Sequence, residues 1–202
     1  MQKLIRIVIV LTLILVLFGC ATPSRTVSRI TSDTQTDLSG RWNDTDARLT
    51  AEAMISDVLS RPWLRQFLLA NARVPVVVVG DVRNLSSEHI DTTPFISDIE
   101  RELINSGEVR FVAGDEVRTQ IRAERLDQQT QAREDTIARL GAEIGADYLL
   151  RGVITSTVDA VYGLQAVAYK ITLELISIET NEKVWIGDKE IKKLIEQSNL
   201  RW

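Results

Sequence analysis

Four consecutive valines, Val76 to Val79, follow Pro75 and constrain the fold more than any other stretch of the chain. A continuous run of β-branched residues is typical of a strand that is buried on both faces, because a strand with one solvent-exposed face alternates apolar and polar residues. The run therefore predicts a central strand over Val74–Val82. Other elements must cover the sheet that contains it.

Helical and strand patterns alternate with turn residues along the rest of the chain. Two helices are predicted before the central strand: one with Asp44, Thr45 or Asp46 as its N-cap, and one capped by Ser60 with Pro62 in its first turn. The central strand is followed by a polar loop over Arg83–Thr92, a helix capped by Thr93 and ended by Gly107, and a strand over Val109–Val112. The remaining predicted elements are a helix over Asp115–Leu126, a helix around Ile137–Ile144, and strands over Tyr148–Val158, Ala166–Ile178 and Lys183–Ile191. This order predicts the α/β class, with a single mixed β-sheet packed by helices.

The first 19 residues have the pattern of an export signal. Lys3 and Arg6 supply a positively charged start, and Ile7–Phe18 is an apolar stretch too short to span a membrane comfortably. No later apolar run approaches the ~20 residues of a spanning helix. We therefore predict a lipoprotein signal peptide over residues 1–19, for which a membrane anchor or an ordinary signal is the alternative.

Gly19-Cys20 resembles the lipobox of bacterial lipoproteins, in which the cysteine is lipidated and becomes the first residue. Cys20 is the only cysteine, so no disulfide can form within one molecule. The resemblance implies acyl chains, palmitate among them, on Cys20. Ala21 follows the cysteine, as in lipoproteins of the outer membrane, which predicts a lipid anchor on the periplasmic face of that membrane.

The stretch after the cysteine predicts a flexible tether over residues 20–37, because it is rich in Thr and Ser and lacks apolar periodicity. Residues 38–202 form the predicted globular domain. Lys3 and Arg6 leave with the signal, so the formal net charge falls from −4 to −6. This mildly acidic charge and the lack of a basic patch in the sequence argue against a nucleic-acid partner.

His89 is the only histidine, and Ser86, Ser87 and Glu88 precede it in one loop. A hydrolase would need a nucleophile and a base in contact, but such partners normally come from separate elements of the fold. We therefore favour a surface contact or a loop-ordering hydrogen bond over catalysis.

Acidic and amide side chains at Asn43, Asp44 and Asp46 resemble part of a calcium loop, but its glycine and distal glutamate are missing, so helix capping explains them better. No Cys and His cluster exists to hold zinc. The sequence thus predicts neither a metal nor a cofactor.

Several segments resemble the LpoB-type family of lipoproteins that activate penicillin-binding proteins. They are Leu38–Asp46, Arg61–Trp63, Val82–Ile90, Asn105–Val112, Gly145–Tyr148 and Glu179–Trp185. The resemblance implies a mixed α/β domain similar to the N-terminal domain of TolB. It also implies a non-enzymatic protein of the outer membrane that binds a bifunctional class A penicillin-binding protein and stimulates peptidoglycan synthesis.

Two polar connections beside predicted strands are the expected partner contacts. One is the sheet-edge region Val161–Gln165. The other is the loop after the central strand, with the candidate residues Arg83, Asn84, Ser86, Ser87, Glu88 and His89.

The tether is the main departure from the family, whose characterised members have a long Pro-rich tether. Residues 20–37 span about 60 Å when fully extended and ~23 Å as a flexible coil. The alternative function is therefore an oligomeric assembly or secretion-associated envelope lipoprotein, which predicts a defined oligomer in detergent.

Overall fold

The computed structural model describes residues 27–31, 34–35, 37, 39–131 and 145–196. The predicted signal peptide, Cys20, most of the predicted tether and the predicted helix around Ile137–Ile144 lie outside the described residues. Within the described part, no helix combines the length and the apolar character needed to cross a membrane.

Four helices and five strands are described. They are, in chain order, α1 (Asp44–Leu59), α2 (Pro62–Asn71), β1 (Val76–Asn84), α3 (Thr93–Ser106), β2 (Arg110–Phe111), α4 (Asp115–Gln131), β3 (Tyr148–Val161), β4 (Leu164–Ser177) and β5 (Lys183–Glu196). The strands form one sheet in the order β2-β1-β3-β4-β5. β2 and β3 flank β1 in parallel, whereas β4 runs antiparallel to both of its neighbours, β3 and β5. The predicted mixed sheet packed by helices is confirmed, and the similarity to TolB stays a prediction.

The valine run lies in β1, next to the centre of the sheet. Val76 and Val77 are buried. β1 pairs with β3 over Val77–Val79 and again over Val82–Asn84, with an irregularity in the register between the two stretches. The strand ends two residues later than predicted. Arg83 and Asn84 therefore belong to β1 and not to the loop, because they continue the pairing with β3.

One face of the sheet, called the helix face below, holds the core. α1 contacts α3 and β5, and α3 contacts β1 and β2. Alternate residues of β4 point into this layer and are buried: Val167, Tyr169, Ile171, Leu173 and Leu175. Full burial of an aliphatic or aromatic side chain stabilises a fold by about 1.5–3 kcal/mol, so this stripe is a major source of stability.

β3 and β4 are longer than predicted and form a tight hairpin. Val161 pairs directly with Leu164, so only Tyr162 and Gly163 form the turn. Gly163 has φ 79°, a conformation that glycine adopts without strain. β1 ends opposite Ile154, and the hairpin continues about 23 Å past that point at about 3.3 Å per residue. The β3–β4 hairpin therefore projects beyond the parallel part of the sheet.

The predicted starts of the helices were close, whereas α4 continues to Gln131, five residues beyond its predicted end at Leu126. The N-cap of α1 is Asn43, not Asp44, Thr45 or Asp46, and the N-cap of α2 is Arg61, not Ser60. α3 begins one residue early, because Thr92 is its cap. Its predicted C-cap, Gly107, is confirmed with φ 68°.

Candidate interaction surface

The junction segment, residues 37 and 39–43, precedes α1 and lies against β5. Gly40 has φ 67°, and a side chain at this position would collide with Ile195 of β5. A glycine thus allows both the bend and the close approach of the segment. The end of the tether is therefore fixed on the edge strand of the sheet.

Lys193 of β5 holds the junction segment through three hydrogen bonds. Its Nζ lies 2.7 Å from Asp37 Oδ1, 2.6 Å from Asp46 Oδ2 and 2.9 Å from the carbonyl oxygen of Arg41. A lysine ammonium has three N–H donors, so each donor has one acceptor. We call this arrangement the Lys193 clamp.

The Lys193 clamp is charged, and the lysine at its centre is buried. The Lys193 side chain is only 8% exposed. Burial alone lowers the pKa of the ammonium, but the hydrogen bonds to Asp37 and Asp46 outweigh that effect and raise the pKa. The same hydrogen bond to Lys193, followed by one from Gln35, lowers the pKa of the Asp37 carboxyl. Both groups are therefore stabilised in their ionised forms.

Asp46 serves the clamp and also the start of α1. Its Oδ2 accepts the backbone N–H of Asn43 at 3.0 Å, and Asn43 Oδ1 accepts the backbone N–H of Asp46 at 3.1 Å. This reciprocal pair is a capping box. The helix start, the junction segment and β5 thus share one carboxylate.

Tyr169 of β4 links the junction segment to the loop that follows β1. Its ring makes an edge contact with Trp42, which in turn makes an edge contact with Phe95 of α3. Its hydroxyl donates to Glu88 Oε1 at 2.6 Å. Burial, followed by the contact with Glu88, raises the pKa of Tyr169, so the hydroxyl keeps its proton and remains a donor.

Residues 85–92, the β1–α3 loop, are held by short-range hydrogen bonds. Asn84 Nδ2 donates to the carbonyl oxygen of Glu88 at 2.7 Å, and Ser86 Oγ bonds Asn84 Oδ1 at 2.6 Å. The backbone N–H of Ser87 donates to Ser156 Oγ at 3.0 Å, which attaches the loop to the hairpin. The loop is therefore an ordered structure with a defined outer surface.

Four of the six predicted contact residues contribute to this internal order. The side chains of Asn84, Ser86 and Glu88 and the backbone N–H of Ser87 make the bonds described above, whereas Arg83 and His89 are exposed to solvent. The structure does not bring these two together. His89 borders a cleft of about 480 Å³ between the loop and residues 41–47, and Arg83 borders a hollow on the opposite face of the sheet.

The geometry does not resemble a hydrolase site. Ser86 Oγ is bonded to Asn84 and to the backbone of Glu88, and Ser87 Oγ lies 3.1 Å from Ser156 Oγ, so neither hydroxyl is held by His89. The described residues also contain no group of three His, Cys, Asp or Glu side chains arranged for a metal ion. What remains is an ordered surface suited to contact with another molecule.

The described residues form an α/β domain with one mixed sheet. The chain belongs to the LpoB family of peptidoglycan-synthase activators, whose model matches residues 46–191. Members of this family are regulators of a synthase rather than enzymes. The match covers more than half of the chain and includes every described helix and strand, apart from the first two residues of α1 and the last five of β5.

The chain is also similar to solved structures, among them two LpoB domains and one further lipoprotein. The LpoB C-terminal domain from Salmonella enterica is 16% identical, with 72% of this chain and 98% of that chain covered and a TM-score of 0.44. For the LpoB C-terminal domain from Escherichia coli the identity is 18%, the coverages are again 72% and 98%, and the TM-score is 0.42. The lipoprotein GNA1162 from Neisseria meningitidis is 13% identical, with 63% and 88% covered and a TM-score of 0.37. A search of curated protein sequences gave no match.

Proposed function

We propose that this protein is a periplasmic lipoprotein, anchored in the outer membrane, that binds and activates a bifunctional class A penicillin-binding protein. The observation that carries the proposal is the family match over residues 46–191. The β1–α3 loop supports it, since its polar groups order the backbone and leave His89 exposed for a partner. In this proposal residues 1–19 are the signal peptide, residues 20–37 the tether and residues 38–202 the binding domain.

Anchoring depends on Cys20. We expect Cys20→Ser to abolish labelling of the protein by radioactive palmitate and to move it from the membrane fraction to the soluble periplasmic fraction. A single lipid chain binds a membrane only marginally, so stable anchoring requires the additional chains that lipobox processing adds. Cys20→Ala serves as a second variant, and membrane retention without label in both variants would refute the lipid anchor.

Substitutions at Arg83 and His89 distinguish two faces on which a synthase could bind, because the two residues are exposed on different faces of the sheet. We expect His89→Glu to weaken capture of the class A penicillin-binding protein about tenfold, because a carboxylate beside the cleft repels acidic groups and costs desolvation; a tenfold change corresponds to about 1.4 kcal/mol. Capture by purified lipoprotein on beads measures the effect. Arg83→Glu tests the opposite face in the same assay.

Arg65 of α2 provides the matched control, since it is exposed and lies on a different element from the loop. Arg65→Glu should therefore leave capture unchanged. Equal capture by the His89, Arg83 and Arg65 variants would exclude this surface. Glu88 is unsuitable for charge reversal, because its loss would also break the bond to Tyr169.

A further inference from the structure

The turn of the projecting hairpin and the strand beside it carry apolar side chains that are exposed to solvent. The exposed fractions are 69% for Val161, 88% for Tyr162 and 62% for Leu194 of the neighbouring strand. Leu164 is exposed as well. We call Val161, Tyr162, Gly163, Leu164 and Leu194 the hairpin tip.

These side chains share one face of the sheet. Val161 lies directly opposite Leu164, and Leu194 lies opposite Ala166, which is the next residue of β4 on the same face. This face is opposite the helix face, since Val167, the residue that follows Ala166 in β4, is buried in the core on the helix face. The apolar groups are therefore continuous at the outermost rungs of the sheet, with Tyr162 at the end.

The tether joins the domain at the same end of the sheet. Lys193, which holds Asp37, is paired with Val167, three residues along β4 from Leu164. Three residues of strand correspond to about 10 Å. The point at which the tether leaves the domain is therefore about 10 Å along the sheet from Leu164 of the hairpin tip, and not at the far end of the domain.

The length of the intervening chain limits where the tip can be. Residues 20–37 reach at most about 60 Å when fully extended and ~23 Å on average as a coil. With the anchor in the bilayer and the clamp beside the tip, the nearest large apolar phase is the membrane itself. We propose that the hairpin tip inserts into the surface of the membrane that holds the lipid on Cys20, an inference that rests on the lipid anchor proposed above.

The side chains around the tip favour shallow insertion. A tyrosine ring with a polar hydroxyl prefers the boundary between headgroups and acyl chains, where apolar groups are buried by about 5–10 Å. Asp159, Lys192 and Glu196 surround the apolar groups on the same face. Two acids and one base give no net attraction to anionic lipid, so the contact is apolar and should be insensitive to salt.

This orientation leaves the proposed partner surface in water. Ser87 of the β1–α3 loop is bonded to Ser156, five residues before Val161, so the loop lies about 17 Å back from the tip. His89 consequently remains accessible when the tip is inserted. The turn over Glu179–Glu182, at the other end of β4, is the part of the sheet farthest from the membrane.

Site-directed spin labelling of the full lipidated chain tests the proposal. Cys20 is the only native cysteine and carries the lipid, so Tyr162→Cys, Leu194→Cys and the control Glu179→Cys each offer one free thiol. The labelled proteins are placed at high dilution in vesicles of phosphatidylethanolamine and phosphatidylcholine. The readout is collision of the label with oxygen, which concentrates in lipid, relative to a water-soluble nickel complex.

We expect the ratio of oxygen to nickel collisions to be several-fold higher at positions 162 and 194 than at 179, and to be unchanged by salt. Equal, water-like ratios at all three positions on vesicle-bound protein would overturn the inference. So would spin–spin broadening at 162, which indicates a second copy, or loss of water access only after a penicillin-binding protein is added. Failure of the lipid anchor is distinguished from failure of tip insertion, because protein without the anchor would not float with the vesicles at all.

Discussion

Lys193→Ala is expected to lower the free energy of unfolding by about 3 kcal/mol, the usual cost of removing one partner from a buried ion pair. The substitution leaves Asp46 buried at the start of α1 without the cation, and it frees Asp37 and the carbonyl of Arg41. The junction segment should detach from β5 as a result. Urea unfolding of the lipid-free Cys20→Ser chain, followed by circular dichroism, measures the loss.

The neighbouring lysine gives the matched control. Lys192 is exposed on the opposite face of the same strand, so Lys192→Ala should change stability by no more than about 0.5 kcal/mol. Lys193→Met, which keeps the length of the side chain, separates loss of charge from loss of packing. Similar stability of the Lys193→Ala and Lys192→Ala chains would show that the clamp contributes nothing.

The clamp also predicts a pH dependence. The pKa of Asp37 is lowered in the folded protein, so its contribution is present above the unfolded value and is lost as the pH falls through the folded value. The pKa of Lys193 is raised, so its contribution is present below the unfolded value and is lost as the pH rises through the folded value. The wild-type protein should therefore lose more stability than Lys193→Ala below about pH 4.

Tyr169→Ala is expected to cost about 4 kcal/mol, as for other large aromatic residues removed from a core. The ring is fully buried and contacts Trp42, and its hydroxyl is the donor to Glu88. Tyr169→Phe removes the hydroxyl alone and should cost about 1–2 kcal/mol, because the Glu88 carboxylate then lacks its donor. The difference between the two variants measures the contribution of packing.

These variants also test whether the loop depends on Tyr169. Hydrogen exchange should show that Tyr169→Phe loosens the backbone of the β1–α3 loop and leaves the β4–β5 pairing protected. Tyr162→Ala is the control, since Tyr162 is exposed and its loss should alter stability by less than about 0.5 kcal/mol. Unchanged exchange in the loop of Tyr169→Phe would mean that the Glu88 contact does not order it.

Local patterns predicted the elements better than they predicted the interaction surface. The valine run and Gly107 depend on backbone preferences and burial, which act over a few residues, and both were right. Lys193 was missed because it lies in a strand rich in lysine and its partners are about 150 residues away in the sequence. The extension of the hairpin to Tyr162 and Gly163 was missed because its strands lose their polar alternation where no helix covers them.

The partner residues illustrate the same limit. The composition of the loop indicated a contact surface, but it could not indicate which polar groups the fold itself uses. Glu88 is used by Tyr169, on a strand far along the chain, and Ser87 by Ser156. The three-dimensional structure is also needed to show that the exposed side chains of Arg83 and His89 lie on different faces.

The Lys193 clamp has a mechanical consequence. With the anchor proposed above, tension along the tether would reach the domain at Asp37 and pass through Lys193 into β5, which is paired with β4 over nearly its whole length. Many backbone hydrogen bonds then share a load that would otherwise unwind α1 from its first turn. The domain should therefore keep its binding surface intact under a pull that a helix start alone would not resist.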